Sequence, residues 1–113
     1  EGSRRAKNAL KNSLKILSEP EASSEETYLA IQKAMNSFLD EKDDRTLERS
    51  TSEIISRIQT QKINEDLIKG ITTTLNRGDA VRFAPVSTAD SIADLEKFRE
   101  FLANVDQDWT MAK

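Results

Sequence analysis

The sequence predicts an all-α fold, a compact bundle of about five helices near residues 4–18, 24–41, 51–60, 64–77 and 88–105. Three observations carry that prediction. Large apolar residues recur at intervals of three and four, the repeat that lines one face of a helix. The 113 residues include only 3 glycines and 2 prolines, too few for a turn-rich β architecture. Aromatic residues amount to 5%, which is again poor in strand formers. A chain of this length makes one domain, residues 1–113, and without a cysteine its stability has to come from packing.

The first helix follows from Ala6, Leu10, Leu14 and Leu17, with Ala9 and Ile16 beside them and Lys7, Lys11 and Lys15 on another stripe. Glu19-Pro20 breaks it, because proline disfavours helical geometry in the residue before it. Ser23 and Glu26 have capping-box spacing, and Tyr28, Ile31, Met35 and Phe38 supply the stripe of the second helix. The charged run 40–45 has no apolar period and reads as a loop leading to Leu47, which is expected to tuck under the core. Ser50 and Glu53 repeat the capping box ahead of Ile54, Ile55 and Ile58. Asn64 caps the fourth helix, Glu65 and Asp66 suit its positive end, and Leu67, Ile68, Ile71 and Leu75 form its face up to Gly78. Thr72-Thr73-Thr74 weakens that helix, since β-branched residues lose rotamer freedom there. Residues 79–86 form a packed apolar loop. Ser87 or Thr88 opens the last helix, faced by Ile92, Leu95, Phe98, Leu102 and Val105. The tail from Asp106 is expected to fray, with Trp109 either docked on the body or reserved for an outside contact.

Composition removes reaction classes. With no histidine and no cysteine, the sequence offers no thiolate nucleophile, no imidazole base and no cysteine–histidine metal set. The carboxylate pairs Asp43/Asp44 and Asp106/Asp108 stand in polar stretches that predict solvated charges rather than a general acid. The spacing of Asp40, Asp43 and Asp44 lacks the glycine and bidentate glutamate of a calcium loop. Three scattered glycines build no phosphate-binding loop. The expectation is a chain that is not an enzyme, with no catalytic, cofactor-binding or metal-binding residue and no small-molecule substrate.

Charge is distributed unevenly. Arg4, Arg5, Lys7, Lys11 and Lys15 against Glu1 make residues 1–17 net +4, leaving −7 for the remainder of a chain whose total is −3. A solvated first helix accounts for this, and so does a juxtamembrane arm on the cytoplasmic side of a preceding span. The chain itself has no apolar run of the roughly 18 residues that a spanning helix needs. A helix-turn-helix reading of the third and fourth helices, with Lys69, Thr72, Thr73, Asn76 and Arg77 facing a duplex, gives the alternative of a small DNA-binding regulator. The acidic body, and Glu65 and Asp66 at the start of the second of those helices, weigh against nucleic acid.

The order of the pieces resembles the C-terminal cytoplasmic domain of the bacterial aerotolerance protein BatD family. The likeness rests on the basic opening Ser3–Lys11, the aromatic-started helix Tyr28–Met35 closing in Phe38-Leu39, the two short helices, and above all Asp79-Ala80-Val81-Arg82-Phe83-Ala84-Pro85. It covers about residues 3–105. Glycines common in that family are replaced by Gln61-Lys62 between the short helices and by Val86 after the proline. The resemblance implies a non-enzymatic protein-interaction domain of a membrane-anchored protein. It also implies a place on the cytoplasmic face of the bacterial inner membrane and a role in aerotolerance and stress response. Its implied partners are von Willebrand-type Bat proteins and a MoxR-type ATPase. Asp79, Arg82, Phe83 and Pro85 form the candidate contact loop. The competing reading of that loop is a lock, with Phe83 in the core and Arg82 paired to Asp79. Arg4, Arg5, Lys7 and Lys11 are the candidate juxtamembrane arm.

Overall fold

The structure, a computed structural model, describes residues 2–17, 23–43, 46–81 and 83–111, with side chains described from Ala9 to Trp109 within those spans. The element order is α1 (Gly2–Ile16), α2 (Ser24–Asp43), α3 (Thr51–Gln59), α4 (Glu65–Ala80) and α5 (Thr88–Met111), with no strand among the described residues. This is the all-α bundle of five helices that the periodicity predicts. Its radius of gyration is 13.4 Å, near the roughly 13 Å expected of a folded domain this long.

The central helix is α2. It packs on all four of the others, most extensively on α1, while α4 bridges α3 and α5. Asn12 of α1 donates to Glu41 of α2 at 3.3 Å, while Ile16, one turn on, lines a cleft with Lys33, Asn36 and Ser37, so the two helices run antiparallel. Small residues are buried on both helices, Ala9 and Ser13 on α1 and Ala30 and Ala34 on α2. The core gathers Ile31, Met35, Phe38 and Leu39 of α2 with Ile54, Ile58, Ile71, Phe98, Leu102 and Val105, each 0 or 1% exposed. Burying a side chain of this size contributes about 1.5–3 kcal/mol.

The helix starts agree with the sequence expectations. Ser50 accepts from the Glu53 amide at 3.3 Å and the Glu53 carboxylate accepts from the Ser50 amide at 3.1 Å, a complete capping box. Asn64 accepts from the Asp66 amide at 2.8 Å. Ser87 accepts from the Asp90 amide at 3.1 Å and is the residue that opens α5. Ser23 accepts from the Glu26 amide at 3.2 Å.

Several ends and faces differ, each for a packing reason. Gly78 does not end α4: the helix continues to Ala80, and a Cβ at Gly78 would lie 3.1 Å from the Tyr28 Cβ, so this glycine permits close approach of α2. The threonines settle into α4 by bonding back along it, Thr72 to the Ile68 carbonyl at 2.7 Å and Thr74 to the Gly70 carbonyl at 2.9 Å. The expected fraying from Asp106 does not occur as far as Met111, and residues 112 and 113 lie outside the described residues. Asp106 pairs with Lys42 at 2.7 Å, Asp108 accepts from the Asn64 amide at 3.1 Å, and Trp109 is docked. The indole meets Phe38 edge-on at 5.9 Å and lies 4.7 Å from the Arg57 guanidinium. Among the described side chains of α1, Ala9 and Ser13 are buried and Leu10 and Leu14 only half-buried, with Leu17 buried just past its end. On α5 Ile92 is exposed while Ser91 and Asp94 are buried, because Asp94 has partners inside.

The carboxylates expected to be solvated are largely bound. Asp43 receives both the Arg57 Nε, at 2.8 Å, and the Arg57 Nη2. Asp44 lies outside the described residues. Leu47 does not tuck under the core; it is 49% exposed and Arg49, at 7%, is the residue that turns inward.

Candidate functional site

One stripe of α2 remains open while the face opposite it, from Thr27 to Leu39, is buried. It begins with Glu25 and Leu29, continues through Gln32, Lys33 and Asn36, and ends at Asp40. At a rise of 1.5 Å per residue this stripe is about 22 Å long. Two clefts lie along it and meet at Leu29 and Gln32, which line both.

The first cleft, about 240 Å³, lies between α2 and the end of α4. Its floor includes Tyr28, Ile31, Leu75 and Val81, and Phe83 forms its far rim. Phe83 is 89% exposed, so it is neither a core filler nor part of a packed loop. Val81 is buried as the cap of α4, and a turn in which the Phe83 and Ala84 amides donate to the Ala80 carbonyl, at 2.9 and 2.8 Å, carries the ring outward. Ala84 and Pro85 are exposed with it. Asp79 is exposed at the cleft edge. Arg82 lies outside the described residues, as do the side chains of Arg4, Arg5 and Lys7; Lys11 is exposed on α1.

The second cleft, about 580 Å³, is walled by Ile16 of α1 and by the segment 46–49. That segment is held by its backbone. Asn36 accepts from the Arg49 amide at 3.1 Å and donates to the Arg49 carbonyl at 3.4 Å, while Asp40 accepts from the Leu47 amide at 3.0 Å and from the Arg49 Nη1 at 2.8 Å. Leu47 is therefore presented outward from a fixed wall. The described residues carry four exposed large hydrophobics, and three of them, Phe83, Leu29 and Leu47, lie along this groove. Grouping of that kind marks contact surfaces, whereas single exposed apolar residues are ordinary. Leu29 and Leu47 escape sequence reading because the period assigns faces and not neighbours. Leu29 carries a faint signal, an apolar residue standing outside the stripe of Tyr28, Ile31 and Met35.

Beneath the groove floor the Tyr28 hydroxyl donates to Asp94, which also receives the Arg77 Nη1. Burial first, then the bond to the Asp94 carboxylate, pushes the Tyr28 hydroxyl up to about 12. The Asp94 bond raises Arg77 in turn. This cluster ties α2, α4 and α5 together and fixes the floor; it presents no free acid or base. Among the described residues no group of three carboxylates, histidines or cysteines is arranged to hold a metal ion, and no helix is long and apolar enough to cross a membrane. Of the residues considered for a duplex, Arg77 is engaged with Asp94 and Thr72 with its own helix.

Compared with family models, with characterised proteins and with solved structures, the chain matches none.

Proposed function

We propose that this chain is a non-enzymatic protein-interaction domain on the cytoplasmic side of a membrane-anchored, BatD-like aerotolerance protein, and that it works through the groove along α2. The observation that carries the reading is the grouping of Phe83, Leu29 and Leu47 on one groove with a fixed wall and floor. An exposed apolar group of this kind costs free energy in water and is repaid by covering it. The absence of histidine and cysteine removes imidazole and thiolate chemistry and leaves only carboxylate and lysine groups, which supports a binding role. The net +4 of residues 1–17 suits a segment leaving a membrane span on its cytoplasmic side, where lysine and arginine are favoured. The BatD resemblance supplies the candidate partners, von Willebrand-type proteins and a MoxR-type ATPase.

The test is co-purification from membranes of the cells that make the protein, comparing the unaltered protein with Leu29→Ser plus Phe83→Ser. Both positions are exposed, so the variant retains its fold. The expected result is recovery of a MoxR-type ATPase or a von Willebrand-type protein that disappears with the variant. Equal recovery by both proteins, or recovery of neither partner, overturns the reading.

A further inference from the structure

We infer that the groove along α2 takes a basic amphipathic helix of a protein partner. The inference rests on the protein-interaction reading and adds the chemistry of what is bound. Three features of the groove select that occupant.

The first is charge. Asp40 and Arg49 neutralise each other across the groove wall. Glu25, Asp79 and Glu48 then stand against Lys33, which leaves two net negative charges on the lining among the described residues. The three acids are exposed and make no ion pair among the described residues, so their charge is available to a partner. They lie at both ends, Glu25 and Asp79 beside Phe83, and Glu48 beside Leu47. A complementary segment carries lysine or arginine flanking its apolar anchors, and an acidic one meets like charge at both ends of the groove.

Shape is the second. The open stripe follows one helix for about 22 Å, which equals about four turns of a second helix laid along it. Phe83, Leu29 and Leu47 are spread along this length, so the partner's apolar residues must recur on one face, as they do at helical spacing. The third feature is the backbone. The described residues include no strand, and in the non-helical wall 46–49 the Leu47 and Arg49 amides are already bound to Asp40 and Asn36, so a partner in extended conformation would find no main-chain ladder to join.

The experiment places a photo-reactive phenylalanine analogue at Gln32, where the two clefts meet, in the full protein within its own cells. The captured segment is mapped by mass spectrometry. It is compared with capture by a second protein that also carries Glu25→Lys and Asp79→Lys. The expected result is a captured protein segment with helical apolar spacing and flanking lysine or arginine. Its yield should fall about tenfold on charge reversal, the scale of two exposed charge contacts of about 0.7 kcal/mol each. The matching synthetic peptide should bind the chain more weakly as salt is raised. Capture of an acidic or uncharged segment, of lipid, or of a segment whose yield ignores the charge reversal overturns the inference. If partner recovery nevertheless depends on Leu29 and Phe83, the protein-interaction reading survives that result. No capture at all, together with no Leu29- and Phe83-dependent recovery, overturns both.

Discussion

The hydroxyl of Tyr28 donates to the carboxylate of Asp94, a contact between α2 and α5 that spans 66 residues of sequence. Asp94 is 7% exposed and also holds Arg77 of α4, so one carboxylate joins three helices. Tyr28→Phe keeps the ring in the core and removes this donor. We expect it to cost about 1.5–3 kcal/mol, the range for a hydrogen bond to a charged group. Urea denaturation near neutral pH measures that loss, and an unchanged midpoint would show the bond to be energetically idle.

The same bond sets an alkaline limit. Folding raises the Tyr28 hydroxyl from 10.0 to about 12, so the folded state holds that proton more tightly than the unfolded chain. Its contribution is complete below pH 10.0 and is lost as pH rises through about 12. Tyr28 is the sole tyrosine, so phenolate absorbance reports it directly. The folded protein should titrate well above its urea-unfolded form, and identical titrations would contradict the buried bond.

Trp109, the sole tryptophan, closes the end of α5 over Phe38 and Arg57. Trp109→Ala should cost about 2–3 kcal/mol. That figure combines an edge-to-face pair of about 0.5–1.5, a cation–π contact of about 0.5–1 and lost apolar burial. The indole emission should move to longer wavelength on denaturation, in one transition with the loss of helical circular dichroism. Emission that is already water-like in the native state would mean an undocked tail.

Gly70 lies where α4 meets α5, and a Cβ there would come within 2.7 Å of the Phe101 ring. In an exposed helix, glycine to alanine stabilises by about 1 kcal/mol. Here the overlap must push Phe101 away, at about 1–3 kcal/mol. Gly70→Ala is therefore expected to lower the thermal midpoint, and a higher midpoint would show that Phe101 yields freely.

The cap of α3 responds to acid. Bonds from the Ser50 backbone and hydroxyl, and to a smaller degree the charge of Arg49, lower the Glu53 carboxyl from its usual 4.5. The cap contributes above that value and is lost as pH falls through the lower folded one. Ser50→Ala should cost about 1 kcal/mol at neutral pH. Glu53→Gln should flatten the acid side of the stability profile; a profile identical to that of the unaltered protein would remove the carboxylate from the account.

The groove variant Leu29→Ser plus Phe83→Ser should behave oppositely to all of these. Both side chains are exposed, so the unfolding free energy should change by no more than about 0.5 kcal/mol. A larger loss would show that the groove residues stabilise the fold.

The sequence by itself determined the number of helices, their order and nearly all of their starts. These follow from contacts three or four residues apart: the apolar period of α2, the capping box at Ser50 and Glu53, the Asn64 cap. It also determined which chemistry is missing, since a chain without histidine or cysteine lacks those side chains in any fold. Only the tertiary structure decided which faces meet. Period counting put Ile92 inside, yet Ile92 is exposed and Asp94 is buried, because Tyr28 and Arg77 reach it from other helices. It read Gly78 as a helix end, where the glycine lets α2 come close, and it left Phe83 open between a contact and a core lock, where a turn after Val81 turns the ring to water. Leu29 and Leu47 join Phe83 on one surface only because Asn36 and Asp40 hold the segment 46–49 against α2. Local periodicity fixes how far a side chain turns about its own helix axis; pairing between residues distant in sequence decides what it finds there.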